Sequence, residues 1–309
     1  MNFQKYSSIE NSYREAFIQS IRQHPELSDV TWQVTEKIHG ANASFVFEEG
    51  EVRYAKRTSL CDDAFFGIDA ALGKYKDQVR GLAEHLQAGT LQVFGEFAGT
   101  GIQKEVFYGQ KDFWVFDILV DGTYLHPDRV FHLALLFGMR HAPILDHDVT
   151  FEEAMQVSAE FNSEVIPGRE NNPAEGVGLE PSRVLYNHRG NRIIVKNKSA
   201  KFSEKKARVP KVHVPDTWTP EMTETFGELE TLVTENRVRN VVSKIGEVTA
   251  KDFGKIAGLT VQDILEEFGK DATLDGFENS EQKIIKKKLQ TDVQALIRDN
   301  ILNIIEGVF

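Results

Sequence analysis

The stretch WQVTEKIHGANASFVFEEGEVRYAKR, residues 32–57, decides the fold of the first half of the chain. Trp32 to Ile38 reads as a strand. Ala43 to Glu48 and Glu51 to Arg57 alternate in hydrophobicity around Glu49-Gly50, which predicts a β-hairpin. On its N-terminal side, Ser7 and Glu10 have the spacing of a capping box and predict a helix running to about Arg22. On its C-terminal side, residues 65–87 have helical character. Leu91 to Ala98 and Phe113 to Val120 are short, apolar and rich in aromatic and β-branched residues, as buried strands are. Thr150 and Glu153 form another capping box, opening a helix to about Phe161. Ile166 to Glu180, rich in Gly, Pro and Asn, reads as loop or irregular strand. Asn191 to Lys198 reads as a strand, with Ile193 and Val195 on one face and Ile194 and Lys196 on the other.

The pattern changes near residue 205. Pro210, Pro215 and Pro220 space out a linker, and everything after Glu221 has helical periodicity. Val238, Val241, Val242 and Ile245 repeat at helical spacing, Thr260 is placed to cap a Val261–Phe268 helix, and a last helix starts near Ser280. The expected architecture is α+β: a strand-rich domain over 1–208, a linker over 209–222 and a small all-α domain over 223–309.

A chain of 309 residues is comfortable as two domains, and 41% hydrophobic with 27% charged residues excludes a disordered chain. No apolar run reaches the length of a membrane span, and the N-terminus lacks a signal-peptide pattern. Cys61 is the sole cysteine, so no internal disulfide can form and a cytoplasmic location is expected. The net charge of −11 argues against a nucleic-acid binder, but it hides a local excess. Arg192, Lys196, Lys198, Lys201, Lys205, Lys206, Arg208 and Lys211 stand with one acid, Glu204, between them. Such a stretch is either a basic track for phosphates or a solvated linker.

Lys37-Ile38-His39-Gly40 follows a strand and matches Lys-x-x-Gly, a pattern for enzymes that load a nucleotide onto a lysine. The pattern alone is weak, because Lys251–Gly254 and Lys255–Gly258 match it too. A lysine nucleophile needs cations or a metal nearby to favour its neutral amine, and its phosphate target needs positive charge around it. The nucleotide base needs stacking and a few hydrogen bonds to bring that phosphate to the amine. Lys56-Arg57 ends the hairpin, and Lys196 and Lys198 share one face of a strand. Glu96 and Asp117 interrupt apolar strands: each is a satisfied buried carboxylate, a ribose ligand or support for a cation. Glu175 precedes Gly176 and could hold Mg²⁺.

The order of these residues closely resembles the phage-type RNA ligase 2 family of covalent nucleotidyltransferases. The matching segments include EKIHGAN (36–42), AKRT (55–58), QVFGEFAGTGIQK (92–104), KDFWVFDI (111–118), EGVGLEP (175–181) and NRIIVKNK (191–198). The resemblance continues at NRVRNVVSKIGEV (236–248) and KDFGKIAGLTVQDILEE (251–267), which contains both extra Lys-x-x-Gly matches. It implies an antiparallel-sheet nucleotidyltransferase domain followed by an α-helical RNA-binding domain. It further implies ATP-dependent sealing of nicked duplex RNA, as in RNA repair, by a monomer using Mg²⁺, for which Mn²⁺ may substitute.

Position by position, the resemblance makes Lys37 the adenylated nucleophile, with Glu36, Ile38 and Asn42 framing the nucleotide. His39 stands where DNA ligases and capping enzymes usually carry Asp. Arg57 would contact the nucleotide or the RNA 5′-phosphate, Glu96 a ribose hydroxyl, and Phe116 the adenine ring. Glu175 would serve metal-dependent catalysis, and Lys196 and Lys198 the ATP phosphates. Lys56, Arg57, Asn42, Lys201 and Lys205 would meet RNA. The family usually has a basic residue where this chain has Glu180. Two rival readings are a GTP-using capping-type guanylyltransferase and a silent nucleotide- or RNA-binding protein on the same scaffold.

Overall fold

A computed structural model describes residues 3–27, 29–187, 189–207, 210, 214–215 and 217–306. Arg208 and Lys211 of the basic stretch, and part of the expected linker, lie outside the described residues. The chain divides into two compact units, Met1–Phe202 and Ser203–Phe309.

The first unit begins with β1 (Glu10–Asn11), α1 (Glu15–Arg22) and β2 (Trp32–Glu36). It continues with β3 (Ala41–Glu48), β4 (Glu51–Lys56), β5 (Ser59–Cys61), α2 (Ile68–Leu72) and α3 (Lys76–Leu86). Next come β6 (Thr90–Ala98), β7 (Asp112–Val120), β8 (Thr123–Tyr124), α4 (Pro127–Leu136), β9 (Arg140–His141) and β10 (Ile144–Val149). The unit closes with α5 (Phe151–Gln156), β11 (Gly176–Pro181) and β12 (Val195–Lys198). The strands make two largely antiparallel sheets. One has the order β1-β12-β11-β2-β10; the other has β5-β4-β3-β6-β7-β8, with β9 added to β7.

The predicted hairpin forms, with Phe47 opposite Val52 and Phe45 opposite Tyr54. Its apolar face packs with Val93, Phe97, Phe113 and Val115 against Leu72, Val79 and Leu82. Trp32, Val34, Val177, Leu179, Ile193 and Val195 pack the back of the other sheet against Ile18 and Ile21. The strand expected over 191–198 is regular only over Val195–Lys198, but the alternation of sides read at Ile193 to Lys196 holds: Ile194 leaves that core and joins Tyr6, Phe94, Leu119 and Tyr124. That last cluster joins the front faces of the two sheets.

Several local readings are corrected. Ser7 and Glu10 open no helix. Glu10 and Asn11 pair in parallel with Val195 and Lys196, so α1 starts at Glu15 without a side-chain cap. An edge pairing that satisfies backbone groups has overridden a local signal. The 65–87 helix is broken by a turn of 3-10 helix at Gly73–Tyr75. The Thr150 capping box is present, but its helix ends at Gln156 rather than Phe161. The end of the irregular segment is a regular strand, β11, held between β2 and β12.

The second unit contains α6 (Pro220–Thr231), α7 (Glu235–Ile245), α8 (Phe253–Phe268) and α9 (Asn279–Ile305). Phe226, Val238, Ile256, Ile264, Ile285, Leu289, Val293 and Ile297 form its own core. Thr260 caps nothing; it is buried mid-helix, and its hydroxyl donates to the Ile256 carbonyl at 2.9 Å. That bond to the carbonyl four residues back satisfies the buried hydroxyl within the helix. Among the described residues no helix is long and apolar enough to cross a membrane.

Candidate active site

β2, β11 and β12 present one face to β3 and β6 of the other sheet. Across the first sheet, Gly178 lies between Lys196 and Thr35, and Gly176 lies opposite Lys198. Beyond the end of β2, the Lys37 N–H donates to the Gly176 carbonyl at 2.8 Å and extends the ladder by one residue. Directly opposite residues share a face, so Lys37, Lys196 and Lys198 come together. On the second sheet, Asn42 lies opposite Glu96.

Glu175 is the centre of this face. Its Oε2 is 2.8 Å from Lys37 Nζ, and its Oε1 is 2.7 Å from Lys198 Nζ. His39 Nδ1 lies 3.3 Å from the same Oε2, and His39 Nε2 lies 3.1 Å from Glu105 Oε2. The Glu175 side chain is 3% exposed and that of Lys37 is 21%, so the nucleophile candidate alone reaches solvent appreciably. Burial would push the Glu175 carboxyl up, but Lys198, Lys37 and His39 hold it well below the usual carboxylate range. Burial would likewise lower the His39 imidazole; its hydrogen bonds to Glu105 and Glu175 raise it instead. Both ring nitrogens face carboxylates, which is the geometry of an imidazolium. Burial pushes Glu96 up to about 7, opposed by Lys37 and reinforced by Glu175.

Two glycines make this geometry possible. A Cβ on Gly40 would sit 2.5 Å from the Phe97 carbonyl oxygen, so the chain after Lys37 passes against β6 only with Gly there. Gly176 has a φ of +147°, and a Cβ on it would lie 2.1 Å from the Asn197 carbonyl oxygen.

The other candidates divide. Arg57 lies near Ser8, with Nη2 3.5 Å from its hydroxyl, and its positive charge favours the ionised form of Glu96. Lys56 turns to the opposite side of its strand, 5.9 Å from the Phe65 ring. The Ile38 side chain is core, packed with Ala98, Tyr108, Trp114 and Phe202. The Glu36 carboxylate turns to the 163–165 segment and accepts the Glu164 N–H at 2.8 Å. Its other oxygen, Oε1, is buried with no hydrogen-bond partner among the described residues. Phe116 stands at a bulge in β7, edge-on to Tyr6 at 5.0 Å. Lys201 Nζ reaches the Glu105 carbonyl at 3.3 Å, whereas Lys205 belongs to the second unit.

The basic stretch is not one surface track. Arg192 is 3% exposed, because its guanidinium pairs with Asp117 and Glu180 and lies 4.3 Å from the Tyr124 ring. Tyr6 also donates to Asp117, at 3.0 Å. Sequence reading missed Glu105 and Tyr108, whose hydroxyl accepts the His39 N–H at 2.9 Å. Neither stands out in the sequence, where Glu105-Val106-Phe107-Tyr108 shows no hydrophobic alternation.

Residues 30–198 match the family model for RNA ligase, over half of the chain, and residues 216–295 match that for the T4 RNA ligase 2 C-terminal region. The chain belongs to the RNA ligase 2 family. Among solved structures, a Naegleria gruberi RNA ligase variant with AMP and Mn is 20% identical, covering 65% of this chain and 58% of that one, at a TM-score of 0.50. A second variant of the same enzyme, with ATP and Mn, and its complex with PPi give the same identity, coverages and TM-score. This likeness is one of fold, and the chain spans 58% of the length of those ligases.

Lys37, Lys196, Lys198 and Arg57 supply the positive charge that the phosphates of a nucleotide need, and Asn42, opposite Glu96, could take one of its polar edges. A resident metal fits less well. Both Glu175 oxygens already face ammonium groups, and no three His, Cys, Asp or Glu side chains converge as a metal site among the described residues.

Proposed function

We propose that this member of the RNA ligase 2 family seals breaks in RNA with ATP, by way of a nucleotide carried on Lys37. The observation that carries the reading is the Lys37–Glu175–Lys198–His39 cluster, with Lys37 at its solvent side. ATP enters as its Mg²⁺ complex, or with Mn²⁺ in place of Mg²⁺, so that the divalent ion arrives with the phosphates. Lys196 and Lys198 neutralise the phosphates, and Glu175 holds the Lys37 amine in place by its 2.8 Å contact. A carboxylate held this low is a poor base, so the ammonium proton leaves to solvent when Lys37 is deprotonated.

The free amine attacks the α-phosphate. A P–N bond forms, the bond to the β-phosphate oxygen breaks, and pyrophosphate leaves. The 5′-phosphate of the RNA then attacks the same phosphorus, breaking the P–N bond and returning the electron pair to Lys37. Finally the 3′-hydroxyl attacks the activated 5′-phosphate, loses its proton, and releases AMP. Phe116 stacks on adenine, Glu96 takes a ribose hydroxyl, and Arg57 takes the RNA phosphate. The preferred RNA is a nicked duplex, read through A-form shape and 2′-hydroxyls, and the protein acts as a monomer.

Intact-mass measurement after incubation with Mg²⁺ and either ATP or GTP tests the reading. The expected result is an AMP adduct on wild type, none with GTP and none on Lys37→Ala. A GMP adduct would favour a guanylyltransferase; no adduct, even after pyrophosphate has stripped pre-loaded AMP, would favour a silent binding protein.

A further inference from the structure

Phe107 is 43% exposed, although the residues on either side of it are buried. A lone exposed apolar side chain is ordinary. Three features set this one apart.

The first is its anchoring. The Phe107 N–H donates to Asn172 Oδ1 at 2.7 Å, and its carbonyl accepts from Asn172 Nδ2 at 3.0 Å. Asn172 is 3% exposed, and its own N–H donates to Asn162 Oδ1 at 3.0 Å. A two-point clamp from a buried amide fixes the backbone, so the ring is presented with little conformational entropy left to lose.

The second is its cover. The Arg169 guanidinium carbon lies 3.9 Å from the Phe107 ring centroid. Among the described residues no carboxylate pairs with Arg169. An exposed cation held over an exposed ring, with no protein anion claiming it, is a platform for a flat, negatively charged partner.

The third is its place. Glu105 touches the His39 ring, and Tyr108 accepts the His39 N–H, so Phe107 is tied on both sides to a residue in contact with Glu175. Arg169 stands in the segment that runs directly into Glu175. Two separate loops thus bring a ring and a guanidinium to the border of one catalytic cluster.

We propose that Phe107 and Arg169 form a stacking platform for a nucleobase of the RNA beside the strand break. Arg169 lies over one face of the Phe107 ring, so a base stacks on the outer plane of that ring–guanidinium pair, and the cation stands beside the adjoining phosphate. Asn172 is a positioning residue that holds the platform. The inference rests on the ligase reading and deepens it. Stacking is indifferent to base identity, so the platform secures the end without imposing a sequence.

The test uses the full-length protein and a nicked RNA duplex carrying 2-aminopurine on either side of the nick. Wild type, Phe107→Ala, Phe107→Trp and Arg169→Ala are compared. All four form the Lys37–AMP adduct from ATP alone to the same extent and melt at the same temperature. Wild type and Phe107→Trp quench 2-aminopurine at one of the two positions; Phe107→Ala does not, and its Kd for the duplex rises roughly five- to hundredfold. Arg169→Ala shows a smaller rise and a weaker salt dependence. A Phe107→Ala variant with wild-type quenching and Kd, beside a wild type that charges and seals, overturns this inference alone. A wild type that forms no adduct overturns the ligase reading and this inference with it.

Discussion

Glu175 shows how one side chain sets the chemistry of its neighbours. It is the anion shared by Lys37, Lys198 and His39, and it is buried. Glu175→Gln keeps the shape and removes the charge, leaving three cationic groups to repel one another. Breaking a buried pair in this way costs about 3–5 kcal/mol, which thermal melting would read as a clear fall in Tm. Charging of Lys37 by ATP should fall by about 100-fold, because the amine loses the contact that aims it. A Glu175→Gln protein that melts and charges like wild type would refute the role given to this carboxylate. Gly176 is a second sensitive position. Gly176→Ala forces a Cβ into the Asn197 carbonyl at a φ of +147°, and should destabilise by more than about 2 kcal/mol. Much of the cluster is legible in the sequence: Lys37 from the Lys-x-x-Gly pattern just after a strand, Glu175 as the carboxylate before Gly176, and Lys198 from its place on a strand beside Lys196. Glu105 was not, because its contact with His39 depends on a loop path that no periodicity encodes.

At the scale of elements, strands that carry their own alternation were read well, while capping signals were not reliable. β3, β4, β6 and β7 come out close to expectation: the hairpin strands from their alternation, and β6 and β7 from apolar runs that are buried on both faces. Ser7 with Glu10 and Thr260 carried helix-start signals that tertiary contacts overrode. The strand β11 is obscured by glycines at 176 and 178, of which Gly176 is there for close packing against Asn197 and not for a turn. The same strand explains Glu180, the acidic residue at a usually basic position. Its charge is answered by Arg192, which also holds Asp117 of β7, so one guanidinium links the two sheets. Two carboxylates, the buried Asp117 and the partly exposed Glu180, share that one cation. Burial pushes Glu180 up to about 8 and Asp117 to about 6, each drawn back by Arg192. A carboxyl raised on folding stabilises the fold below its unfolded value, near 4.5 for Glu180, and that stability is lost as pH rises through the folded value. Wild type should therefore lose more Tm between pH 5.5 and 8.5 than Glu180→Gln, in which the second carboxylate is gone. Parallel Tm profiles for the two proteins would show that the shared cation does not couple to pH.

At the scale of the whole molecule, the division of the chain places every residue of the Glu175 cluster in the first unit, Phe202 included, which packs 4.7 Å from the His39 ring. The second unit has a separate core, from Met222 to Ile304, and its buried Arg237 pairs with Glu204 and Asp263 inside the same unit. A unit with its own core and its own satisfied charges can fold by itself. We propose that the first unit carries the nucleotide chemistry and that the helical unit serves the RNA. A fragment of residues 1–202 should then fold with cooperative melting and form the Lys37–AMP adduct at a rate within about tenfold of the full chain, a difference below about 1.4 kcal/mol. Sealing of a nicked RNA duplex should fall far more steeply, because the later steps need the RNA held as well as the nucleotide. Adduct formation by mass and sealing by gel, measured on the same fragment, separate the two. A folded fragment that cannot be charged would mean that the helical unit takes part in the first step; one that seals as well as the full chain would leave the helical unit without the role in RNA binding assigned to it.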